Sequence, residues 1–429
     1  MSRHAQHPVR GVDEHRRAVT EALWDIRPPA ETVPLRAAPG RVLAGELVAP
    51  MSLPPFDNSQ MDGFAVRAAD TGPAADVDVE LVVDDPVPAG VVPGPLAGGR
   101  AAPVMTGAPL PAGADAVVPV EEARPSGFPP AGSTVRIPAG QPAGRFVRRA
   151  GEDVLAGETV LEAGQRLTPA RIGLAAALGL DRLSVRARPR AVVYTTGDEV
   201  VPPGTARGPA QVYDANAAIL AAELAEAGVE VVAARLVPDD APAFAVRLAE
   251  DAELRPDLFV SSGGVSEGAY EVVRQVLEPH GEFVHVAMQP GGPQGLARAG
   301  GVPFVCLPGN PVSTLVSFEM FLRPALTEVL GHPAPRPRAT APLAEAVRPL
   351  PTRTQVRRAV WDGTTVRLVG GPGSHLLTAA ARADALALLP PGGEELPAGT
   401  PVELVLLDGG RPGAASAGPG RGRGSGGAD

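Results

Sequence analysis

The sequence predicts a multidomain chain of the α/β plus β class, with a mostly parallel α/β domain set among β-rich segments. Three observations carry that expectation. The chain has 429 residues, and at about 150 residues per domain that length implies about three units or four. After residue 188 apolar strand patterns alternate regularly with helical ones, which implies parallel strands covered on both faces. On either side, over 40–145 and 338–408, short apolar runs are broken by Gly and Pro, the texture of β modules.

Taken in order, 10–27 places Val12, Val19, Leu23 and Ile26 on one face of a helix, with charge on the other. "VELVVD", "DAVVPVEEA" and "TVRIPA" then read as strands. "RLTPARIGLAAALGL" returns to helix, with Thr168 as N-cap and Pro169 at the first helical position. "RAVVYTTG", "VEVVAARLV", "DLFVSSGG", "FVHVAM" and "VPFVCLPG" read as strands. "DANAAILAAELAEAG", "APAFAVRLAEDAE", "AYEVVRQVLEPHG" and "PVSTLVSFEMFLRPALTEVLG" read as the helices between and after them. "TQVRRAVWDG", "TVRLVG" and "TPVELVLL" are short β runs, with a brief helix around 376–384. The expected boundaries are a linking helical and extended domain over 10–45 and 146–185, and a β-rich inserted domain over 46–145. The α/β domain follows over 186–332, then a small β domain over 338–408 and a disordered tail over 409–429.

Composition narrows the function classes. The net charge is −10, and all 38 basic residues are arginine, because the chain contains no lysine. Scattered arginines and 3% aromatics leave no electrostatic footprint for nucleic acid. Cys306 is the single cysteine, so no intrachain disulfide forms, and its apolar surroundings suit a buried, inert thiol. No secretion signal precedes residue 17, and "IGLAAALGL" is far shorter than the roughly 20 residues of a membrane span. A soluble cytoplasmic protein is expected. The seven histidines form no zinc-type spacing.

In an open parallel sheet, ligands bind beyond the carboxyl ends of the strands. The segments there are "TTGDE" (195–199), "PDD" (238–240), "SSGGVSEG" (261–268), "MQPGGP" (288–293) and "LPGNPVS" (307–313). Their chemistry suits an anionic, phosphate-bearing ligand. Gly263 and Gly264 let a backbone come close to a phosphate, with serine hydroxyls beside them. Asp198, Glu199 and Asp239 are oxygen donors suited to Mg2+. A second polar stretch, "PPFDNSQMDGFAV" (54–66), precedes an apparent strand, and its Asp, Asn and Ser also serve as ordinary turn formers.

Several long stretches resemble the molybdopterin molybdenumtransferase family, MoeA, which includes the C-terminal domain of gephyrin. They are "PPFDNSQMDGFAV", "VMTGAPLPAGADAVVPVEE" (104–122), "RRAGEDVLAG" (148–157), "TTGDEVV", "YDANAAIL" (213–220), "SSGGVSEG" and "LPGNPVS". The resemblance runs from about 10 to 408 and implies an elongated homodimer whose α/β domain is of the molybdopterin-binding, MogA-like type. It implies Mg2+-assisted insertion of molybdate into adenylylated molybdopterin, with release of AMP. Carried over, Asp153, Glu199 and Asp239 are the catalytic candidates, and Asp198, Glu199 and Asp239 the metal candidates. The cofactor-binding candidates are Asp57, Ser59, Asp62, Thr106, Gly107, Thr196, Gly197, Asp198, Ser262, Gly263, Gly264, Ser266, Pro308, Asn310 and Ser313. The loop 54–66, with Asn58, is then expected to help close a site shared with the other subunit.

Three positions depart from the family pattern. Ala269 stands where an aspartate is usual, with Glu267 and Glu271 nearby, and Gln289 and Gly292 stand where lysines are usual. Losing lysines removes point charges an anion site uses, and Arg298 is the nearby cation. The departures leave three readings open: an active transferase with rearranged charges, a degenerate paralogue that binds molybdopterin or its adenylate, and a scaffold.

Overall fold

In the computed structural model, which describes residues 9–73, 77–265, 271–332 and 335–407, the alternating segment after residue 188 builds a seven-stranded sheet. Across the sheet the strands run Val9–Arg10, Gly281–Val286, Pro293–Ala299, Val302–Leu307, Leu258–Ser262, Arg190–Thr196 and Glu230–Val237. The pairings at both ends are parallel, and Pro293–Ala299 runs antiparallel to both its neighbours. That strand was not expected, because its small and polar residues mask its period. The central strands are continuous apolar runs because both faces are covered. Ala191, Val193, Val260 and Val305 enter one core, and the alternate residues Val192, Tyr194, Phe259 and Phe304 enter the other. Asp214 and Asp240 cap the helices Ala215–Glu226 and Ala241–Ala252 by accepting the amides of Ala217 and Ala243.

The described residues fall into two compact units, one drawn from 1–31, 40–42 and 186–429, the other from 32–39 and 43–185. This redraws two expected boundaries. Residues 10–31 belong with the α/β sheet, not with a linking domain, because the helix Val12–Leu23 buries Val19 and Leu23 in its first core. The small β domain is also built into that unit. Met288–Gln289 pairs in parallel with Thr354–Gln355, joining a six-stranded sheet with Thr354–Trp361, Ala385–Leu389, Pro401–Leu406, Arg338–Pro342 and Val366–Leu368. Val356, Leu386 and Val405 share a core with Val312 and Leu326. A partly buried ionic cluster adds to this join: Arg323 and Arg336 both pair with the exposed Glu226 and the buried Glu319, at 2.7–3.1 Å. Glu319 lies in a π-helical turn, Phe318–Leu322, inside the long helix expected after residue 311.

The second unit is built on a five-stranded sheet ordered Ala116–Pro119, Gly63–Val66, Arg100–Val104, Asp78–Val83 and Thr134–Pro138. Its helix Pro169–Ala177 begins as expected, with the Thr168 hydroxyl accepting the Arg171 amide. The polar stretch from 54 leads into the fully buried strand Gly63–Val66. Gly63 is needed there for space, since a Cβ would sit 2.2 Å from the Val118 carbonyl oxygen. The tail 409–429 lies outside the described residues.

Two predictions follow from packing. Gly63→Ala should lower the stability of the second unit by about 2 kcal/mol, read as a lowered midpoint in urea. His15 is buried edge-on against Phe321, with ring centroids 4.7 Å apart. Burial, and then the Arg10 guanidinium, lowers its pKa to about 4 against a partial pull from Glu282. The unfolded chain therefore takes up a proton at His15 first as pH falls below about 6.5, and stability is lost down to about pH 4. The loss at this residue is about 3 kcal/mol, and His15→Leu should flatten that part of a stability-against-pH curve.

Candidate active site

The five loops at the carboxyl ends of the α/β strands meet around one cleft of about 890 Å³. Thr196, Gly197, Glu199, Asp239, Gly263, Gly264, Pro308, Asn310 and Ser313 all line it. The local folding is dictated by close approaches. Gly263 has φ +100° and donates its amide to the Leu307 carbonyl at 3.0 Å. A Cβ on it would sit 2.6 Å from the Thr196 hydroxyl, and one on Gly309 would lie 3.2 Å from the Gly263 Cα. Gly197, at φ +133°, lets the Glu199 carboxylate fold against its Cα. The floor is thus backbone, with amides close to whatever binds.

Two candidates play supporting parts. Ser262 is buried, and its hydroxyl lies 3.2 Å from the Pro308 carbonyl and 2.9 Å from the Thr314 hydroxyl, so it ties two loops together and does not line the cleft. The Asp198 carboxylate accepts the Asp239 amide at 3.2 Å and fixes the approach of that residue. Asp239 has its pKa raised, first by burial and then by the negative charges of Asp198, Glu199 and Glu271, partly offset by a backbone hydrogen bond. Four carboxylates therefore share one region of negative potential. Among the described residues no three acidic or histidine side chains are placed to hold an ion by themselves, and the Mg2+ expected at Asp198, Glu199 and Asp239 is one that takes phosphate oxygens beside the carboxylates.

The structure adds residues that the sequence reading left out of the site. Glu271, which follows the glycine loop, lines the cleft, whereas Ala269 and Ser266 lie outside the described residues. Tyr213 enters from just before the capped helix Ala215–Glu226 and Asn216 from its first turn; Asn216 donates to the Gly309 carbonyl at 2.6 Å, and Asp214 accepts the Thr195 hydroxyl at 2.6 Å. Pro372, Gly373, Ser374 and His375 enter from the C-terminal sheet region. Their only signal in the sequence is a turn-like "GPGSH" (371–375), 58 residues beyond the end of the last expected loop at 313.

The departures acquire physical form here. Gln289 lines the cleft, and its side-chain oxygen accepts the Gln355 amide at 2.7 Å. At Gly292 a Cβ would fall 2.6 Å from the His285 ring, so a longer side chain there requires that ring to move. Arg298 does not compensate, being engaged with the carbonyls of Gly301 and Ala22 and with Asp25.

The remaining candidates lie in the second unit and form a hydrogen-bonded set there. Asp62 accepts both the amide and the hydroxyl of Thr106, at 2.7 and 2.8 Å, which lowers its pKa. Asp57 accepts the Ala150 amide at 2.8 Å and the Arg149 guanidinium at 2.6 Å, and its pKa is lowered, most by the amide. The buried Ser59 accepts the Gly107 amide at its carbonyl, and Gly107 turns with φ +81°. Asp153 is exposed, and its amide bonds to the Leu53 carbonyl.

Models of three families match the chain: the MoeA N-terminal region (domains I and II) over residues 10–179, a probable molybdopterin binding domain over 192–328, and the MoeA C-terminal region (domain IV) over 340–407. Molybdopterin molybdenumtransferase 2 of Mycobacterium tuberculosis is 46% identical over 415 residues, spanning 92% of this chain and 99% of its own length. Molybdopterin molybdenumtransferase of Synechococcus elongatus is 38% identical over 390 residues, spanning 88% and 94%. The crystal structure of a molybdopterin biosynthesis MoeA protein from Pyrococcus horikoshii superposes with a TM-score of 0.79 at 32% identity, covering 94% of this chain and 100% of that one. With the three models matching in order across nearly the whole sequence, the chain belongs to the MoeA family.

Proposed function

We propose that this chain is a molybdopterin molybdenumtransferase, which inserts molybdate into adenylylated molybdopterin and releases AMP in molybdenum cofactor biosynthesis. The observation that carries the reading is the cleft, where glycine backbone from two adjacent strand ends lies opposite Glu199, Asp239 and Glu271. The Gly263 amide is held by the Leu307 carbonyl, and the backbone amides at Gly264 and Asn310 suit the pyrophosphate of an adenylylated substrate. The dithiolene and the molybdate meet in the same space, held by groups placed before the reaction begins.

The donor set fits Mg2+ in one particular way. Carboxylate oxygens are the right ligands, and with no complete chelate among the described residues the ion would be held by one or two of Glu199, Asp239 and Glu271 together with substrate phosphate oxygens and water. Bound there, it supplies charge neutralisation at the phosphates from which AMP departs. Asp198 keeps Asp239 in place, and Gly197 keeps the Glu199 carboxylate folded toward the cleft. Since Asp239 has a raised pKa and binds a cation only when ionised, Mg2+ affinity should weaken as pH falls through that raised value.

The same reading includes a cytoplasmic homodimer in which the 54–66 loop of one copy completes the cleft of the other. It is supported by the family resemblance and by the way Asp57, Asp62 and Thr106 are locked in place although exposed or half-buried. Light scattering should give twice the chain mass.

Purified protein given adenylylated molybdopterin, Mg2+ and molybdate should release AMP in a molybdate-dependent way; absence of that dependence overturns the assignment. Glu199→Gln and Asp239→Asn should each lower kcat by about a hundredfold or more with the melting temperature little changed. Asp62→Ala and Glu199→Gln, each nearly inactive alone, should recover about a quarter of full activity when mixed and allowed to exchange subunits, as two-fold sharing requires; no recovery overturns the shared site.

A further inference from the structure

Where the C-terminal sheet joins the α/β sheet, two guanidiniums face three carboxylates. Arg323 and Arg336 each pair with Glu226 and Glu319, at 2.7–3.1 Å. The third acid is Glu223, one turn before Glu226 on the helix Ala215–Glu226. It is buried, and its Oε2 has no hydrogen-bond partner. Arg323 and Glu319 are buried as well, and Glu319 stands in the π-helical turn Phe318–Leu322, a rare insertion that is frequent at functional sites. With all three acids ionised the cluster carries one uncompensated negative charge out of water, which is costly.

The other neighbours of the helix do not supply the missing positive charge. It packs on Ala191, Val193 and Val231 of the strands beneath it and on Val312 and Val316 of the helix Pro311–Ser317. Beyond its end the His332 ring packs against Gly228, where a Cβ would lie 2.7 Å from it, and burial lowers the pKa of that histidine. Burial first, and then the charge of Glu319, hold the Glu223 carboxyl well above the usual carboxylate range, with a further push from Glu226 and against the pull of Arg323 and Arg336. A neutral Glu223 balances the cluster.

Both sides of this join reach the cleft. The helix that carries Glu223 sends Asn216 to the Gly309 carbonyl. Arg336 donates to the Leu407 carbonyl at 2.7 Å and lies just ahead of the strand Arg338–Pro342, so it anchors two paired strands of the C-terminal sheet. The region of that sheet also brings Pro372–His375 to the cleft.

We propose that Glu223 is a proton-operated latch: protonated, it leaves both arginines to Glu226 and Glu319 and keeps the C-terminal sheet closed on the α/β sheet; ionised, it competes for Arg336 and loosens that join. Because both sides of the join line the cleft, the latch couples the cleft walls to pH. The closed join holds the proton more tightly than an opened one. It is therefore firmest below the ordinary value of 4.5 and weakens as pH rises toward the raised value.

The test is hydrogen exchange of the full chain, read by mass spectrometry as protection factors, so that differences in intrinsic exchange rate drop out. Peptides covering Arg338–Pro342 and Pro401–Leu406 should lose about tenfold in protection from about pH 6 to about pH 8, while the strand Gly63–Val66 of the other unit holds its protection. In Glu223→Gln, a neutral mimic of the protonated acid, that loss should vanish. Glu226→Gln removes a competing carboxylate at an exposed position and should cut the loss to less than about threefold. No loss in the unsubstituted protein, or the same loss in Glu223→Gln, overturns the latch. Should Glu223→Gln fail to fold, Glu226→Gln decides, and an undiminished loss there overturns it. None of these readouts involves turnover, so the failure of the latch leaves the transferase reading standing.

Discussion

At the end of the central strand pair two backbones pass with no side chain between them, and the cleft depends on that contact. Leu258–Ser262 and Val302–Leu307 run parallel, and the first leaves the sheet into Gly263 and the second into Pro308–Gly309. Gly309 lies so close to Gly263 that a Cβ would be 3.2 Å from the neighbouring Cα. The Gly263 amide is spent on the Leu307 carbonyl, and Ser262 and Thr314 hydroxyls close the gap below. A side chain inserted there would separate the strands or lift the loops, and the backbone floor of the cleft would be lost. The remaining loops are arranged around this fixed edge, with Asn216 reaching across to the Gly309 carbonyl.

The electrostatics follow from the same geometry. A floor made of backbone brings amides to the ligand but no formal charge. Around it the charged side chains that reach the cleft are mostly acidic, and Asp239 registers the crowding in its raised pKa. That arrangement suits a cation shared with a phosphate-bearing substrate, and it puts a demand on the rest of the unit for positive charge. The absence of lysine throughout the chain makes arginine the only permanent source, and several arginines of the α/β unit are already committed to carboxylates. Arg323 and Arg336 are spent on Glu226 and Glu319, Arg235 on Asp251, and Arg298 near Asp25.

The two departures that raised doubt about the cleft read differently once the neighbours are known. Gln289 forms an amide pair with Gln355 and so helps join the C-terminal sheet to the α/β sheet at the strand Met288–Gln289. Gly292 has the His285 ring packed where a side chain would begin. Both positions have been absorbed into the packing of this chain, and neither is an open gap awaiting a lysine. Glu271 meanwhile brings a carboxylate to the cleft from just after the glycine loop.

The sequence by itself determined the parts that depend on neighbouring residues. The strand–helix alternation, the Thr168, Asp214 and Asp240 caps, and the five glycine-rich loops at strand ends follow from local periodicity and backbone chemistry. Those loops had to converge, because strands of one sheet that run in the same direction end on the same side. The tertiary structure alone decided what depends on residues far apart in the chain. It placed the helix Val12–Leu23 on a sheet formed mostly after residue 188, and it brought Pro372–His375 into a cleft otherwise built from 195–313. It also turned Ser262 inward while leaving Thr196 at the surface of the cleft, a choice made by Pro308 and Thr314. Pairings across such distances are fixed by packing and cross-strand register, and neither leaves a mark in a short window of sequence.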